Sequence, residues 1–416
     1  MSEVSLLASP SSTEERADPI AVARSLAQSF KASARERDKK GGTAKAERDA
    51  IRESGLLSLL IPQTYGGWGA DWPTALEVVK EIAKADGSIA HVFGYHLGSV
   101  PIVELFGTLE QKERFYRNVV KHRWFAGNAS SENNAHVMDW KVSATPTDDG
   151  GYIFNGTKHF CSGSKDSDRL FIFGVILEEG PNQGAIVSAV IPTNREGVTV
   201  NDDWDAMGMR QTDSGSTRFD HVRVAPEEVL GPPNAFIEAF LTSGPGSLWT
   251  PTVQLTFSTM YLGVALGALE TAKDYTRTQS RPWTPAGVAS AVEDPYTLAA
   301  YGDMVIALQG AEAAQREAAR TLQQTWEKRK TLTPEDRGEL MIKVSVVKAL
   351  ATKVSLDVTS RVFEVMGARA SHSRYGFDRF WRDVRTHTLH DPVSYHVKAV
   401  GNWALNGAYP IPGFTS

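Results

Sequence analysis

The sequence has little of several features that mark particular protein classes. Its 416 residues include a single cysteine, Cys161, which excludes an intramolecular disulfide framework and is typical of a reducing compartment. Lysine and arginine together number 44 against 49 acidic residues, so there is no basic excess with which to bind nucleic acid. We find neither a signal sequence nor an apolar run of about 20 residues, so we expect a cytoplasmic protein without a membrane span.

Two nucleotide-binding motifs are also absent. No Gly-x-Gly-x-x-Gly follows a predicted strand, and no Gly-x-x-x-x-Gly-Lys-Ser/Thr occurs, so we expect neither a Rossmann domain nor a P-loop. With 41% hydrophobic and 22% charged residues, the chain is instead typical of a globular protein of two or three domains.

Hydrophobic spacing divides the chain into three parts. Apolar residues recur at helical spacing, then alternate as in β-strands, and then return to helical spacing. A turn at Asp148–Gly151 and a loop at 180–182 are predicted to join pairs of strands. Thr333 and Pro334 begin the strongest predicted helix, which ends at Gly367. We predict an α+β protein with an N-terminal helical domain, a central β-domain and a C-terminal four-helix bundle that mediates oligomerisation, at 1–123, 124–233 and 234–416 respectively.

Two glycines suggest how the C-terminal helices pack. Gly263 and Gly267 lie one helical turn apart in a predicted helix. Because glycine has no side chain, this spacing lets a neighbouring helix approach closely. We therefore expect a tight helix–helix contact at this point.

Polar side chains are concentrated in a few stretches. His387 and His390 lie about one turn apart beside Asp391, and three interpretations are open: a metal site, histidines that hydrogen-bond and carry protons near a cofactor, or a helix packing face. We favour the second and expect no metal. The rows of short polar side chains at 128–134 and 155–163 suit the edge of a flavin ring, although each stretch alone also fits a polar loop or strand end.

The order of the three parts, together with the stretches 155–162 and 361–391, resembles the acyl-CoA dehydrogenase superfamily. Within it, the sequence is similar to two-component flavin monooxygenases that oxidise the sulfur of dibenzothiophene-type aromatics in desulfurisation. The similarity covers nearly the whole chain and is carried by the segments 55–60, 65–72, 127–134, 208–216, 385–394 and 409–416.

The resemblance implies a mechanism and its cofactor. FMN is implied, delivered in reduced form as FMNH2 by a separate NADH:flavin reductase, with O2 as co-substrate. A C4a-hydroperoxyflavin would oxidise the aromatic sulfur to a sulfoxide and then to a sulfone. His91, Ser162 and His390 are implied as the catalytic groups at the reactive edge of the flavin.

The resemblance also implies the cofactor contacts. They are Tyr95, Asn128, Ala129, Ser130, Ser131, Glu132, Asn133, Lys158, His159, Phe160, Cys161, Ser162, Ala368, Arg369, His387 and His390. Arg281 is implied to reach a phosphate across a subunit boundary, which requires an oligomer, and a homotetramer is implied.

One departure from the dehydrogenase branch bears on the reaction. Acyl-CoA dehydrogenases use a glutamate base, often near the position where this chain has Asp391 followed by Pro392. The shorter carboxylate beside a proline is poorly placed for that role. An acyl-CoA dehydrogenase or flavin oxidase nevertheless remains the alternative, and a catalytically silent scaffold is a third hypothesis.

The substrate pocket and a lid are predicted more indirectly. A flat, uncharged tricyclic molecule needs an apolar slot. Candidate walls are Phe160, Trp204, Met207, Phe240, Leu248 and Trp249, although apolar residues at helix or strand positions far more often serve packing than binding. The polar segment 131–142 is a candidate lid because peroxyflavin chemistry requires water to be excluded.

Overall fold

The computed structural model describes residues 17–133 and 140–413. The predicted order of helices, sheet and helices is confirmed. The N-terminal helices are α1 (Pro19–Lys40), α2 (Lys45–Ser54), α3 (Trp72–Ala85), α4 (Gly87–Phe106) and α5 (Leu109–His122). The exact domain boundaries remain a prediction.

The helix α4 lies at the centre of the molecule. Apolar residues occur on all sides of it, which is typical of a helix that is buried all round. Asp86 caps it by accepting a hydrogen bond from Ile89 N at 3.0 Å. Its core residues belong to one hydrophobic cluster that includes parts of the N-terminal helices and of the C-terminal helices. Side chains on α4 are therefore placed between the two helical parts.

The central strands form a mixed sheet. They are β1 (Ala126–Ala129), β2 (Ser143–Pro146), β3 (Tyr152–Lys158), β4 (Arg169–Val175), β5 (Ile186–Pro192), β6 (Val198–Val200) and β7 (Thr217–Val224). Their order is β1-β4-β2-β3-β7-β6, and β5 pairs with β4. The predicted turn joins β2 to β3, closed by a hydrogen bond from Thr147 N to Gly151 O at 2.9 Å, and the predicted loop joins β4 to β5.

The C-terminal helices form a bundle. They are α6 (Ala235–Leu241), α7 (Trp249–Thr278), α8 (Pro295–Glu327), α9 (Pro334–Met366), α10 (Asp378–His387) and α11 (Val393–Asn406). The central helix is α9, which packs against α7, α8 and α11. As predicted, Thr333 caps α9 by accepting from Asp336 N at 3.1 Å, and Gly367 ends it with φ +81°.

The close helix approach predicted at two glycines is confirmed. A Cβ atom added at Gly267 would lie 1.9 Å from the carbonyl oxygen of Lys84, and one added at Gly263 would lie 2.6 Å from that of Lys80. These distances are far below van der Waals contact, so α7 packs directly on the backbone of α3.

Two segments have the length and hydropathy of membrane spans. They are Gly87–Phe106 and Pro245–Thr278, and 72% and 83% of their most apolar windows are buried within the fold. This burial identifies both as core helices.

Candidate active site

A cleft opens where α4 and α7 meet the central sheet. Its cavity volume is about 30 Å³. Gly94 and Gly98, on either side of Tyr95, leave room along α4, and aromatic and aliphatic side chains supply most of the remaining wall. The lining residues are Gly94, Tyr95, Gly98, Ser99, Ile102, Gly127, Asn128, Ser130, Phe171, Phe173, Trp249, Val253, Thr256 and Phe257. Walls of this kind suit a flat, largely apolar group.

The predicted histidines come together beside this cleft. The ring centroids of His91 and His387 are 4.4 Å apart, and the rings of His387 and His390 stack at 5.6 Å. His91 Nε2 lies 3.1 Å from Ser162 Oγ, which joins α4 to the loop after β3. Thus all three predicted catalytic residues lie in one cluster, although they are far apart in sequence.

The ring of Phe257 holds the cluster together. Its centroid lies 5.8 Å from that of His91, 4.6 Å from that of His387 and 5.1 Å from that of His390. Tyr95 also packs against it, at 5.6 Å. Because four aromatic neighbours share this one ring, Phe257 fixes their mutual positions.

Burial keeps two of these histidines neutral. Burial, with a smaller contribution from His390, lowers the pKa of His91 to about 3. Burial and the neighbouring His91 and His390 likewise hold the pKa of His387 well below its usual value. Among the described residues, neither His91 Nδ1 nor His387 Nε2 has a hydrogen-bond partner. Two buried imidazole nitrogens are therefore left for a ligand.

A buried charged group supports the cluster from behind. Asp391 accepts hydrogen bonds from Lys348 Nζ at 3.1 Å, His390 Nδ1 at 3.0 Å and His396 Nε2 at 3.1 Å. Burial alone would raise the pKa of Asp391, but these three partners hold it well below its usual range. The carboxylate is thus ionised and fully engaged, and it holds His390 with Nδ1 inward.

A tyrosine connects this charged group to His387. The hydroxyl of Tyr261 lies 2.8 Å from His387 Nδ1 and 3.4 Å from Lys348 Nζ. Burial, followed by the charge of Asp391, raises the pKa of Tyr261 well above its usual value, so the phenol keeps its proton. It therefore orients the ring of His387.

The predicted polar row after β1 is divided between the cleft and the core. Asn128 and Ser130 line the cleft and are hydrogen-bonded to each other. Ala129 and Cys161 are instead fully buried in the core of the β-domain, and burial raises the pKa of the Cys161 thiol to about 12. Those two side chains pack in the core, so a contact from either residue to a cofactor would come from its backbone, and their assignment as cofactor contacts stays a prediction.

Other residues of that row form structural contacts. Lys158 Nζ donates to Glu132 Oε1 at 2.5 Å, and the Glu132 carboxylate also accepts from the backbone of Lys141 and Val142. His159 N donates to Ser131 O at 2.8 Å. His159 Nδ1 lies 3.2 Å from Asn133 Nδ2. Residues 134–139 of the candidate lid lie outside the described part of the chain.

Three predicted cofactor contacts lie near the far end of α7. Arg281 follows the C-terminus of α7, and Arg369 donates to the carbonyl of Gln279. Ala368, Arg369 and Arg281 are all exposed. Between Phe257 and Thr278 the helix rises by about 30 Å. Arg281 is therefore too far away to reach the histidine cluster of its own subunit.

The predicted substrate walls occupy different places. Trp249 lines the cleft, but Leu248 is fully buried in a core cluster with residues of α3, α8 and α9, which corrects its assignment as a wall. The rings of Phe160 and Trp204 are 6.2 Å apart, and Phe160 and Met207 are largely exposed. The side chain of Phe240 lies outside the described part of the structure.

Phe257, Tyr261 and Lys348 belong to the site but were not predicted from the sequence. A signal existed for Lys348, because a lysine within the apolar stripe of α9 must be buried with its charge, and it is 0% exposed. The two aromatic residues lie one turn apart on an apolar helix, where nothing in the sequence distinguishes them from ordinary core residues.

Comparisons with known proteins match all three parts of the chain. Residues 13–123, 129–222 and 255–395 match the N-terminal, middle and C-terminal domains of acyl-CoA dehydrogenase, respectively. The chain is 65% identical to dibenzothiophene monooxygenase of Rhodococcus qingshengii, over 96% of each chain. It is 42% identical to a probable FMNH2-dependent monooxygenase, SfnC, of Pseudomonas putida, over 95% of this chain and 97% of that protein.

A solved structure is also similar. The crystal structure of FMN-bound TdsC from Paenibacillus sp. A11-2 superimposes with a TM-score of 0.93 at 55% sequence identity. The match covers 96% of this chain and 100% of that one.

Proposed function

The chain belongs to the acyl-CoA dehydrogenase family, and from this premise we propose that it is the oxygenase component of a two-component flavin monooxygenase acting on aromatic sulfur. The substrate is a dibenzothiophene-type heterocycle, oxidised to the sulfoxide and then to the sulfone. FMN arrives reduced from a separate NADH:flavin reductase, and O2 is the co-substrate. The enzyme acts in the cytoplasm as a homotetramer.

The residues of the site fit a reduced flavin. The cleft has aromatic walls, and Asn128 and Ser130 provide polar atoms along one side. The two buried nitrogens, His91 Nδ1 and His387 Nε2, require a polar ligand that the described residues do not supply. A ring with an apolar face and a hydrogen-bonding edge meets both demands.

When bound, reduced FMN supplies the electrons that activate O2. The neutral His91 and His387 hydrogen-bond polar atoms that enter the cleft. His390 turns Nδ1 towards Asp391, which leaves Nε2 as the atom that exchanges protons. Its side chain is 43% exposed, so protons reach it from solvent. The aromatic walls exclude water and so strengthen each of these hydrogen bonds.

One observation favours a monooxygenase over an acyl-CoA dehydrogenase: the described residues of the site include no free catalytic base. Among the described residues that line the cleft, none is a carboxylate. Asp391, which stands near the family's usual base, is buried and accepts from three partners. A base that removes a proton α to a thioester must be free to accept it. This site instead offers an apolar cleft with neutral histidines.

Turnover of dibenzothiophene tests the proposal. The protein is incubated in air with FMN, NADH and an unrelated flavin reductase, and the products are separated by chromatography. We expect sulfoxide and sulfone, and neither when the reductase is omitted. Hydrogen peroxide alone, with unchanged substrate, would contradict the proposal.

Variants of the histidine cluster test the assigned site. We expect Ser162→Ala and His390→Ala each to lower the rate of sulfoxide formation at least about tenfold, the effect of losing one positioned polar or proton-transfer group. His122→Ala is the control because His122 is an exposed residue in the last turn of α5. Equal rates in all three variants would remove Ser162 and His390 from the mechanism.

A further inference from the structure

A chain of buried hydroxyl groups runs from His91 away from the cleft. Ser162 Oγ lies 3.1 Å from His91 Nε2 and 2.7 Å from Ser214 Oγ. Ser214 Oγ lies 2.7 Å from Thr212 Oγ1, and Thr212 Oγ1 lies 3.0 Å from the carbonyl oxygen of Met209. The side chains of His91, Ser162, Thr212 and Ser214 are all buried.

The far end of this chain fixes the direction of every hydrogen bond in it. The carbonyl of Met209 can only accept; it accepts from the Trp204 indole N–H at 2.7 Å, from the Thr212 hydroxyl at 3.0 Å and, at the longer distance of 3.3 Å, from Thr212 N. Each hydroxyl has one hydrogen. If Thr212 donates its hydrogen to the carbonyl, it can only accept from Ser214, so Ser214 must be the donor. By the same reasoning Ser162 must donate to Ser214. The last member, His91 Nε2, must then donate to Ser162.

The opposite direction is less favourable. If every hydroxyl donated towards His91 instead, three hydrogen bonds would form and the one to the Met209 carbonyl would be lost, whereas the first direction makes four. It also leaves the oxygens of Thr212 and Met209 3.0 Å apart with no hydrogen between them, so their lone pairs repel each other. Burial makes an unsatisfied polar contact costly, so the first direction prevails.

We propose that Thr212 and Ser214 are positioning residues that hold His91 as the Nε2–H tautomer, with the bare lone pair of Nδ1 directed to a ligand. His91 Nδ1 has no partner among the described residues, as this assignment requires. Neutral His91 is then a hydrogen-bond acceptor, which binds an N–H or O–H group of whatever occupies the site. Ser162 is likewise committed as a donor to Ser214.

The effect of this tautomer on catalysis rests on the proposed function, because it assumes that oxygen is transferred at this site. A neutral His91 whose unpaired Nδ1 can only accept cannot supply from that nitrogen the proton that oxygen transfer requires. The candidate proton donors in the cluster are thereby reduced to His390 and His387, of which His390 is exposed to solvent. The tautomer itself does not depend on which substrate is oxidised.

Nitrogen-15 NMR of the histidine rings tests the proposal. Full-length protein with labelled histidine is prepared without flavin and studied as a solid, and the His91 signals among its 10 histidines are identified by their loss in His91→Gln. We expect His91 to be the Nε2–H tautomer in the parent protein. Finding it as Nδ1–H would overturn the proposal directly, without any variant.

A matched pair of variants tests the role of Thr212, whose hydroxyl does not touch His91. Thr212→Val removes the hydroxyl that donates to the Met209 carbonyl. The hydrogen bonds that remain join His91, Ser162 and Ser214, and two of them form whichever way they run. We therefore expect both His91 tautomers to be populated, whereas Thr212→Ser keeps the hydroxyl and the single tautomer. An unchanged Nε2–H signal in Thr212→Val would overturn the proposal.

Turnover separates this inference from the proposed function. With dibenzothiophene, we expect Thr212→Val to form less sulfoxide per NADH consumed than Thr212→Ser. If neither the parent nor the variants oxidise dibenzothiophene, the proposed function fails while the tautomer result stands. If dibenzothiophene is oxidised but the two variants give the same tautomer and the same yield, the positioning role fails.

Discussion

His91 and His96 lie on the same buried helix, but their surroundings give them different roles. His96 Nε2 lies 2.7 Å from the carbonyl of Leu57, and its Nδ1 accepts from Ala126 N at 3.1 Å. Both nitrogens of His96 are thus satisfied within the fold, whereas His91 keeps one nitrogen for a ligand. The residues that decide this difference are distant in sequence. The family resemblance implied His91 as a site residue, but the residues around the two histidines in the sequence give no sign of this difference.

The partners of His96 give a prediction about pH. Burial lowers the pKa of His96 to about 4 from its usual 6.5, so the unfolded chain binds this proton at a higher pH than the folded protein does. Its contribution to stability is complete above about pH 6.5 and is lost as the pH falls towards 4, by up to about 1.4 kcal/mol per pH unit.

Denaturant unfolding at several pH values checks this prediction. We expect His96→Asn, which cannot be protonated, to have a shallower fall in unfolding free energy between pH 6.5 and 4 than the parent protein. Groups that titrate in both proteins cancel in the comparison. Parallel pH profiles would show that His96 is not held neutral by the fold.

At the scale of helices and strands, the sequence predicted the features that depend on neighbouring residues, such as helix ends and turns. The cap of α9 at Thr333, its end at Gly367 and the turn before β3 all depend on neighbouring residues, and all are confirmed. The parallel pairing of β1 with β4 depends on residues about 40 positions apart and left no such signal. The same holds for the contact of Phe257 with the histidines.

The contact between α3 and α7 gives a prediction with an internal control. Gly267→Ala would place a Cβ atom 1.9 Å from the carbonyl of Lys84, so we expect α7 to be displaced and the protein to lose about 1–3 kcal/mol of stability. Gly302→Ala meets nothing within 4 Å, also within a helix, and should stabilise by up to about 1 kcal/mol. Thermal unfolding of both variants measures the difference, and equal shifts would contradict the tight contact.

Two lysines of α9 provide a second pair of variants, one at a buried ion pair and one at an exposed ion pair. Lys348 is buried against Asp391, and Lys343, on the same helix, pairs with the exposed Glu317. Lys348→Ala leaves a buried carboxylate without its cation, so we expect a loss of about 3–5 kcal/mol. Lys343→Ala should cost less than about 1 kcal/mol. Equilibrium unfolding in urea checks both, and a small effect at Lys348 would mean that Asp391 is satisfied by its histidines alone.

At the scale of the whole molecule, the position of Arg281 supports an oligomer. It lies on the order of 30 Å along α7 from the histidine cluster. The C-terminal helices also expose large apolar side chains, including Tyr296 and Ile306 on α8 and Leu405 on α11, which are 84%, 71% and 87% exposed. Exposed apolar groups of this size favour contact with another subunit. The assignment of Arg281 to the site of a partner subunit therefore remains a proposal with geometric support.

Mixed oligomers test that assignment. Arg281→Ala should weaken FMN binding, and His390→Ala should lower turnover at least about tenfold. If Arg281 acts across a subunit boundary, co-expressing the two variants gives some sites with both native residues, and activity returns above that of either variant alone. Activity in the mixture no higher than in the separate variants would contradict this arrangement.

The overall organisation was predictable because three independent sequence patterns agreed on it. The helical spacing, the alternation in the centre and the family resemblance gave the same order of parts. The sequence was a poorer guide to which individual side chains line the site. Leu248 and Cys161 are apolar or weakly polar, and residues distant in sequence determine that they lie in a core. Burial in a core and exposure to a cleft look alike in sequence.

The most direct test of the account is the origin of the oxygen in the product. Dibenzothiophene is turned over with FMN, NADH and a flavin reductase under oxygen-18 gas in ordinary water, and the products are analysed by mass spectrometry. A monooxygenase of aromatic sulfur must place one labelled atom in the sulfoxide and two in the sulfone. Unlabelled products, or no oxidised sulfur while NADH is consumed, would contradict the account.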